Sequence, residues 1–76
     1  MDQSNAAQFA GLLRMSRSGE LRLGNRRLHE GTAVDVWLAG AWQPGQVARV
    51  GAEWTLRLAD GSAVPALGAI ARLPAG

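Results

Sequence analysis

The sequence predicts a mostly β fold, a small five-stranded barrel preceded by one short α-helix. From residue 20 onward apolar residues recur at every second position, which is the period of a half-buried strand. Pairs of residues containing Gly separate these stretches and indicate tight turns. The chain has 76 residues, which suffices for one domain with a thin core. Closure into a barrel is expected because an open sheet this small would leave its edge strands exposed.

Residues 4–15 predict the short amphipathic helix. Ala, Phe and Leu recur there at helical spacing, and Asp2 or Ser4 is available as the N-cap. A helix of about three turns is marginal by itself in water, so we expect it to pack on the barrel or on another subunit. A polar joint follows the helix. The chain therefore divides into a helix and joint over residues 1–18 and a barrel over residues 19–76.

The first barrel element is predicted to be a hairpin. Leu21 and Leu23 flank Arg22, Gly24-Asn25 forms a two-residue turn, and Arg26–His29 returns as the second arm.

A regular strand follows at Ala33–Ala39, with its side chains alternating between the two faces. Val34 and Val36, together with Leu38, point to the core, whereas Asp35 and Trp37 point outward. An indole on the outward face of a strand indicates a contact surface.

The remaining strands are separated by turns. A turn at Gly40-Ala41 leads into a long strand with a bulge predicted at Pro44-Gly45, and Pro65–Ala69 has the length of one 3₁₀ turn. Trp54 alternates with leucines and is assigned to the core. The predicted strands are Trp42–Val50, Glu53–Ala59, Ser62–Val64 and Ile70–Leu73. Short strands, tight turns and a one-turn helix before the last strand are typical of an SH3-like barrel.

Composition limits the chemistry that this chain can perform. There is no Cys and a single His, which removes disulfides and a His/Cys metal site, and no acid–base or nucleophile pair stands at a recognisable spacing. No cofactor fingerprint is present. No stretch approaches the ~20 apolar residues of a membrane span, and the N-terminus lacks signal-peptide features. We therefore expect a cytoplasmic, non-enzymatic protein without a cofactor.

The net charge is +2, and all eight basic residues are Arg. Exclusive use of Arg, with abundant Ala and Gly, is typical of a GC-rich bacterial genome. It also has a functional interpretation, because the Arg fork binds carboxylate or phosphate with two hydrogen bonds and stacks on aromatic rings.

The first candidate site is a partner-binding surface centred on Trp37. Large aromatic side chains dominate interface energetics. Asp35 lies on the same predicted face, and Arg49 and Arg57 on neighbouring strands are expected to flank Trp37. The alternative is that the two arginines pair across strands with Asp35 and Glu53. Trp42 is expected to half-cover the core.

The second candidate site is the arginine-rich hairpin. Arg22, Arg26 and Arg27 cluster there with His29 close by, which suits contact with the phosphates of a nucleic acid. Three arginines do not form the dense basic stripe of a dedicated nucleic-acid binder. Charges that protect a sheet edge from aggregation explain them equally well.

Several segments resemble a pattern shared by SH3-like and Tudor-like barrels, and the resemblance extends over Leu21–Leu73. They are Leu28–Gly31, Val34–Val36, Gly40–Val47, Glu53–Leu56 and Asp60-Gly61. The pattern is most similar to an uncharacterised family of small barrel proteins of bacterial mobile elements. This resemblance implies an accessory protein of a plasmid, phage or integrative element.

A second resemblance concerns the trimethoprim-resistant type II dihydrofolate reductases, in which four short SH3-like chains build one active pore. Ala41–Val47 and Gly61–Leu73 are similar to that family. Where the family has a Val-Gln-Ile-Tyr segment, this chain has Ser62–Pro65, so the active-site amide and phenol are missing. Fold alone does not carry function.

The sequence thus predicts a small interaction module that binds a protein partner as a regulator or inhibitor, of which an anti-CRISPR protein would be one example. Nucleic-acid binding through the hairpin is the alternative, and an oligomeric reductase is a distant third. Homo-oligomerisation through the N-terminal helix or the face of Trp37 remains open.

Overall fold

The computed structural model describes residues 10–74, and every regular element in this range is a β-strand. The mostly β prediction is therefore confirmed. The strands are β1 (Ala10–Met15), β2 (Leu21–Leu23), β3 (Arg26–Leu28), β4 (Ala33–Leu38), β5 (Ala41–Val50), β6 (Glu53–Leu58), β7 (Ala63–Pro65) and β8 (Ile70–Arg72).

The eight strands form one antiparallel sheet that curls into a half-barrel, in the order β3-β2-β1-β8-β4-β5-β6-β7. β3 and β7 are the two edges of this sheet, so the predicted closed five-stranded barrel is not what the described residues form. Short strands with polar or Pro residues at these edges limit edge-to-edge pairing without closure.

The N-terminal helix prediction is wrong over residues 10–15, which form β1, and its remainder, residues 4–9, lies outside the described residues. β1 pairs with β8 through its first half and with β2 through its second half. Strand alternation inserts Leu13 into the core, where it is 1% exposed, and turns Leu12 and Arg14 outward. The tertiary pairing outweighs a helix propensity already weakened by Gly11.

The hairpins agree with the sequence except for the turn between β4 and β5. Gly24 has the positive φ, 61°, that the predicted first hairpin requires. The β4–β5 turn is Ala39-Gly40, one residue earlier than predicted, because both residues adopt positive φ, 53° and 80°. This is the φ pattern of a type I′ turn, which suits the right-handed twist of a hairpin.

The bulge predicted at Pro44-Gly45 is absent. The β4–β5 register runs without interruption through Val34↔Gly45 and Asp35↔Pro44. Pro44 is tolerated because β6 pairs with β5 only from Gly45 onward, so the missing N–H can face an open side. Gly45 allows β6 to approach, since a Cβ there would lie 3.0 Å from the carbonyl oxygen of Arg57.

The predicted 3₁₀ helix before the last strand is a turn. Pro65 still belongs to β7, Ala66 is buried, and the N–H of Ala69 donates to the carbonyl of Ala66 at 3.1 Å. Within residues 10–74 no helix is long and apolar enough to cross a membrane.

The core lies inside the curl and joins both ends of the sheet. Its members are Leu13, Leu21, Leu23, Leu28, Val34, Val36, Val47, Trp54, Leu56, Leu58, Ala66 and Ala71. Trp54, as predicted, is buried, and its Nε1 donates to the carbonyl of Gly19 at 2.9 Å. This bond ties β6 to the turn between β1 and β2, far away along the sheet.

Candidate functional site

The outer face of the sheet carries a row of apolar side chains, here called the apolar row: Leu12, Ile70, Trp37 and Trp42. Cross-strand register places them side by side. Leu12 opposes Ile70, and Trp37 opposes Trp42. The pair Val36↔Ala71 puts Trp37 and Ile70 at the next register step. Leu12, Ile70 and Trp37 are 51%, 42% and 43% exposed. The outward orientation predicted for Trp37 is therefore confirmed.

The indole of Trp37 is exposed but held in place by neighbours. It meets Trp42 edge to face, with ring centroids 5.2 Å apart and planes at 67°. The guanidinium of Arg72 lies over the Trp42 ring, 4.2 Å from its centroid. Arg72 Nε also donates to Asp35 Oδ2 at 3.2 Å. Trp42 thus contacts both Trp37 and Arg72, and it supports the indole of Trp37.

A second row on the outer face, here called the arginine row, crosses β1, β2 and β3 in direct register. Arg14 opposes Arg22, and Arg22 opposes Arg27. Glu20 bridges part of this row, at 3.0 Å from Arg22 and 3.4 Å from Arg27. Arg22 Nη2 also donates to the carbonyl of Asn25 at 2.9 Å. On β1, Arg14 stands two residues from Leu12, so the arginine row adjoins the apolar row.

Charge is concentrated at this end of the sheet. Residues 14–27 contain five arginines and one glutamate, a net charge of +4. Residues 28–74 contain three arginines and four acidic residues, a net charge of −1. The small net charge of the chain therefore conceals a strongly basic region beside an almost neutral one.

The structure separates the residues that were predicted to surround Trp37. Asp35 lies near it, paired with Arg72 rather than with Arg49 or Arg57. Arg57 belongs to the register row of Ala33, four residues along β4 from Trp37, or about 13 Å. Arg49 opposes Trp54 and stacks over its ring at 4.8 Å. Whether Arg49 and Arg57 lie beside Trp37 depends on the register between strands, which the alternation of residues within one strand does not give.

The residues of the predicted arginine-rich hairpin likewise do not all lie on one face of the sheet. Arg22 and Arg27 share the outer face, but Arg26 opposes the buried Leu23 and so belongs to the other face. His29 is exposed and lines a polar cavity of about 500 Å³ with Arg27 and Arg49.

Sequence reasoning missed Leu12, Arg14, Ile70 and Arg72. Leu12 and Arg14 flank the buried Leu13, and this period-two signal was overlooked because the segment was assigned to a helix. No pattern in the sequence identifies Arg72 as the partner of Asp35 and Trp42, because those contacts depend on β8 pairing with β4.

Asp60 has a shifted pKa that hydrogen bonds within its own turn explain. Residues 10–74 contain no group of three His, Cys, Asp or Glu side chains that could hold a metal ion. The hydroxyl and then the backbone N–H of Ser62 lower the pKa of Asp60 below its usual value by donating hydrogen bonds to Oδ1. These bonds close the β6–β7 turn.

Comparisons with protein-family models, with curated proteins and with solved structures found no match. The resemblances in the sequence therefore stay predictions, and the function is inferred from the two rows on the outer face.

Proposed function

We propose that this chain is a non-enzymatic binding module of the SH3-like type, which recognises a protein partner through the apolar row, with Trp37 as the anchor. The observation that carries the proposal is the exposed but supported indole of Trp37. The role that we propose is a cytoplasmic regulator or inhibitor, as the resemblance to barrels of bacterial mobile elements implies.

The energetics of burial favour a binding role for this face. Three large apolar side chains stand more than 40% exposed in one row, and exposed contiguous apolar patches mark interaction sites. A Trp anchor that is already ordered loses little conformational entropy on binding, and Trp37 packs against Trp42, which Arg72 covers in turn, before the partner arrives. Trp and Arg are also the residue types enriched at interface hot spots.

Nucleic-acid binding is the second candidate, and the arginine row is the observation that favours it. Single-stranded nucleic acid is bound by a basic groove with several aromatic side chains on which successive bases stack. Here Arg72 covers one ring face of Trp42, which leaves Trp37 as the exposed ring of the row. The single carboxylate of Glu20, shared by Arg22 and Arg27, also interrupts the row as a track for a phosphate backbone. These contacts make a protein partner the better-supported candidate.

The test is partner capture with Trp37→Ala, from a lysate of the organism that encodes the chain. Val50→Ala is the matched control, since Val50 is an apolar side chain 64% exposed at the other end of β5. We expect Trp37→Ala to weaken the captured complex about 30-fold or more, the equivalent of about 2 kcal/mol at a hot spot. Val50→Ala should retain the partner.

Both variants should melt cooperatively, because both side chains are exposed. Equal capture by Trp37→Ala and the unmodified chain would refute the proposal. Tryptophan fluorescence titrated with single- and double-stranded DNA at low and moderate salt tests the second candidate, which requires a saturable change that weakens steeply with salt. NADPH oxidation with dihydrofolate, together with the subunit count from light scattering, tests the reductase alternative.

A further inference from the structure

A groove of about 490 Å³ opens where the apolar row meets the arginine row. Leu12 and Met15, each about half exposed, line it from the two faces of β1: Leu12 lies on the outer face with Arg14, and Met15 lies on the face of Leu13. Arg14 and Arg22 form its basic wall, and the Gly24-Asn25 turn closes one end. The groove therefore offers aliphatic surface and two guanidinium groups to one ligand.

The two arginines of the groove place like charges side by side on neighbouring strands. Arg14 and Arg22 are direct cross-strand partners, and like charges in that position destabilise a sheet. Glu20 and the carbonyl of Asn25 accept hydrogen bonds from Arg22 and fix its guanidinium group. An anion seated between Arg14 and Arg22 would relieve this repulsion, and each Arg fork can donate two hydrogen bonds to a carboxylate.

We propose that the groove binds an acidic segment of the protein partner, in which a carboxylate pairs with Arg14 and Arg22 and a neighbouring aliphatic side chain packs on Leu12. The same segment continues along the apolar row to Trp37. This inference rests on the proposed function and adds the chemistry of the partner, an extended chain in which acidic and aliphatic residues lie close together.

The composition of the groove favours a protein segment over a nucleic acid. Its apolar lining is aliphatic and contains no ring on which a base could stack. The arginine row crosses three strands, a width of about 10 Å, and does not continue as a basic track, because residues 28–74 carry a net charge of −1. A short row of this kind suits a few carboxylates better than a long phosphate backbone.

The experiment is an NMR titration of the ¹⁵N-labelled full chain with a decapeptide of alternating glutamate and leucine. The comparison ligands are a glutamate–serine decapeptide and oligo-thymidine. We expect saturable shifts at Leu12 and at the Nε–H signals of Arg14 and Arg22. The glutamate–serine peptide should bind about three- to tenfold more weakly, because it lacks the aliphatic contact.

Arg14→Gln is the test variant, and Arg26→Gln is the matched control with the same loss of charge on the other face of the hairpin. We expect Arg14→Gln to weaken the glutamate–leucine peptide about three- to tenfold and Arg26→Gln less than about twofold. Both arginines are exposed, so the fold should persist in both variants.

Three outcomes would overturn the inference. One is the absence of saturable shifts in the groove up to millimolar peptide, and another is equal weakening by Arg14→Gln and Arg26→Gln. The third is that oligo-thymidine binds more tightly than the peptide and that Arg14→Gln abolishes the binding of oligo-thymidine. This result would assign the groove to nucleic acid. If one of these outcomes is observed and Trp37→Ala still loses the captured partner, the groove inference fails and the proposed function stands. The two failures are therefore distinguishable.

Discussion

Trp54→Phe tests whether one hydrogen bond ties distant parts of the curled sheet together. The substitution keeps an aromatic ring in the core but removes Nε1, which donates to the carbonyl of Gly19 at 2.9 Å. A typical hydrogen bond contributes about 1 kcal/mol net to the free energy of unfolding. The smaller ring forfeits burial worth roughly one methylene, or about 0.8 kcal/mol. We therefore expect a loss of about 2 kcal/mol.

This loss is large for so small a protein. A chain of 76 residues has a total free energy of unfolding of about 4–11 kcal/mol, and each lost kcal/mol lowers Tm by about 4–8 °C. Urea unfolding followed by far-UV circular dichroism measures the change directly. Trp42→Phe is the matched control, because Trp42 is placed by ring contacts on the outer face. If Trp54→Phe is no more destabilising than Trp42→Phe, the tie to Gly19 contributes nothing to stability.

Three further predictions concern local features. Ala39→Asn should raise the free energy of unfolding by about 0.5–1 kcal/mol, because φ at Ala39 is 53° and Asn tolerates the left-handed region; an unchanged or lower urea midpoint would contradict this. Gly45→Ala should lower it by about 1–3 kcal/mol, since the new Cβ would meet the Arg57 carbonyl at 3.0 Å and Leu58 Cδ2 at 3.3 Å; wild-type stability would show that β5 and β6 separate easily. The pKa of Asp60 is lowered in the folded state, so its stabilisation is present above the usual value of 3.8 and is lost as pH falls through the lower folded pKa. An NMR titration should place the pKa of Asp60 below 3.8, and Asp60→Asn should lose less stability than the unmodified chain as pH falls through that range.

The parts of the fold that depend on neighbours in sequence could be predicted. The alternation of Val34, Val36 and Trp37 identified the two faces of β4, and Gly24 marked the first hairpin correctly. The assignment of Trp54 to the core followed from the same alternation. Each of these features is set within a few residues, where side-chain period and turn chemistry act directly.

The features that depend on pairing between strands distant in sequence could not be predicted. β1 satisfies both a helical and a strand pattern, and only its pairing with β2 and β8 decides between them. The contacts around the candidate site also depend on pairing between distant strands. Trp37 was identified, but Arg72 reaches Asp35 and Trp42 through the pairing of β8 with β4. Arg49 and Arg57 were misplaced because the register of β5 was unknown.

The pairing of β1 with β8 has a consequence for synthesis on the ribosome. Ala10 opposes Arg72, so β1 completes its ladder only after 62 more residues have been made. Leu13 is fully buried beside strands from both halves of the chain, and contacts of such long sequence separation slow folding. The nascent chain can form its local hairpins early, including β1 with β2, but the first half of β1, Ala10–Leu12, must wait for β8. A circular permutant that joins these two strands through a short linker and opens an exposed turn instead would remove this delay and fold faster without any change in the core.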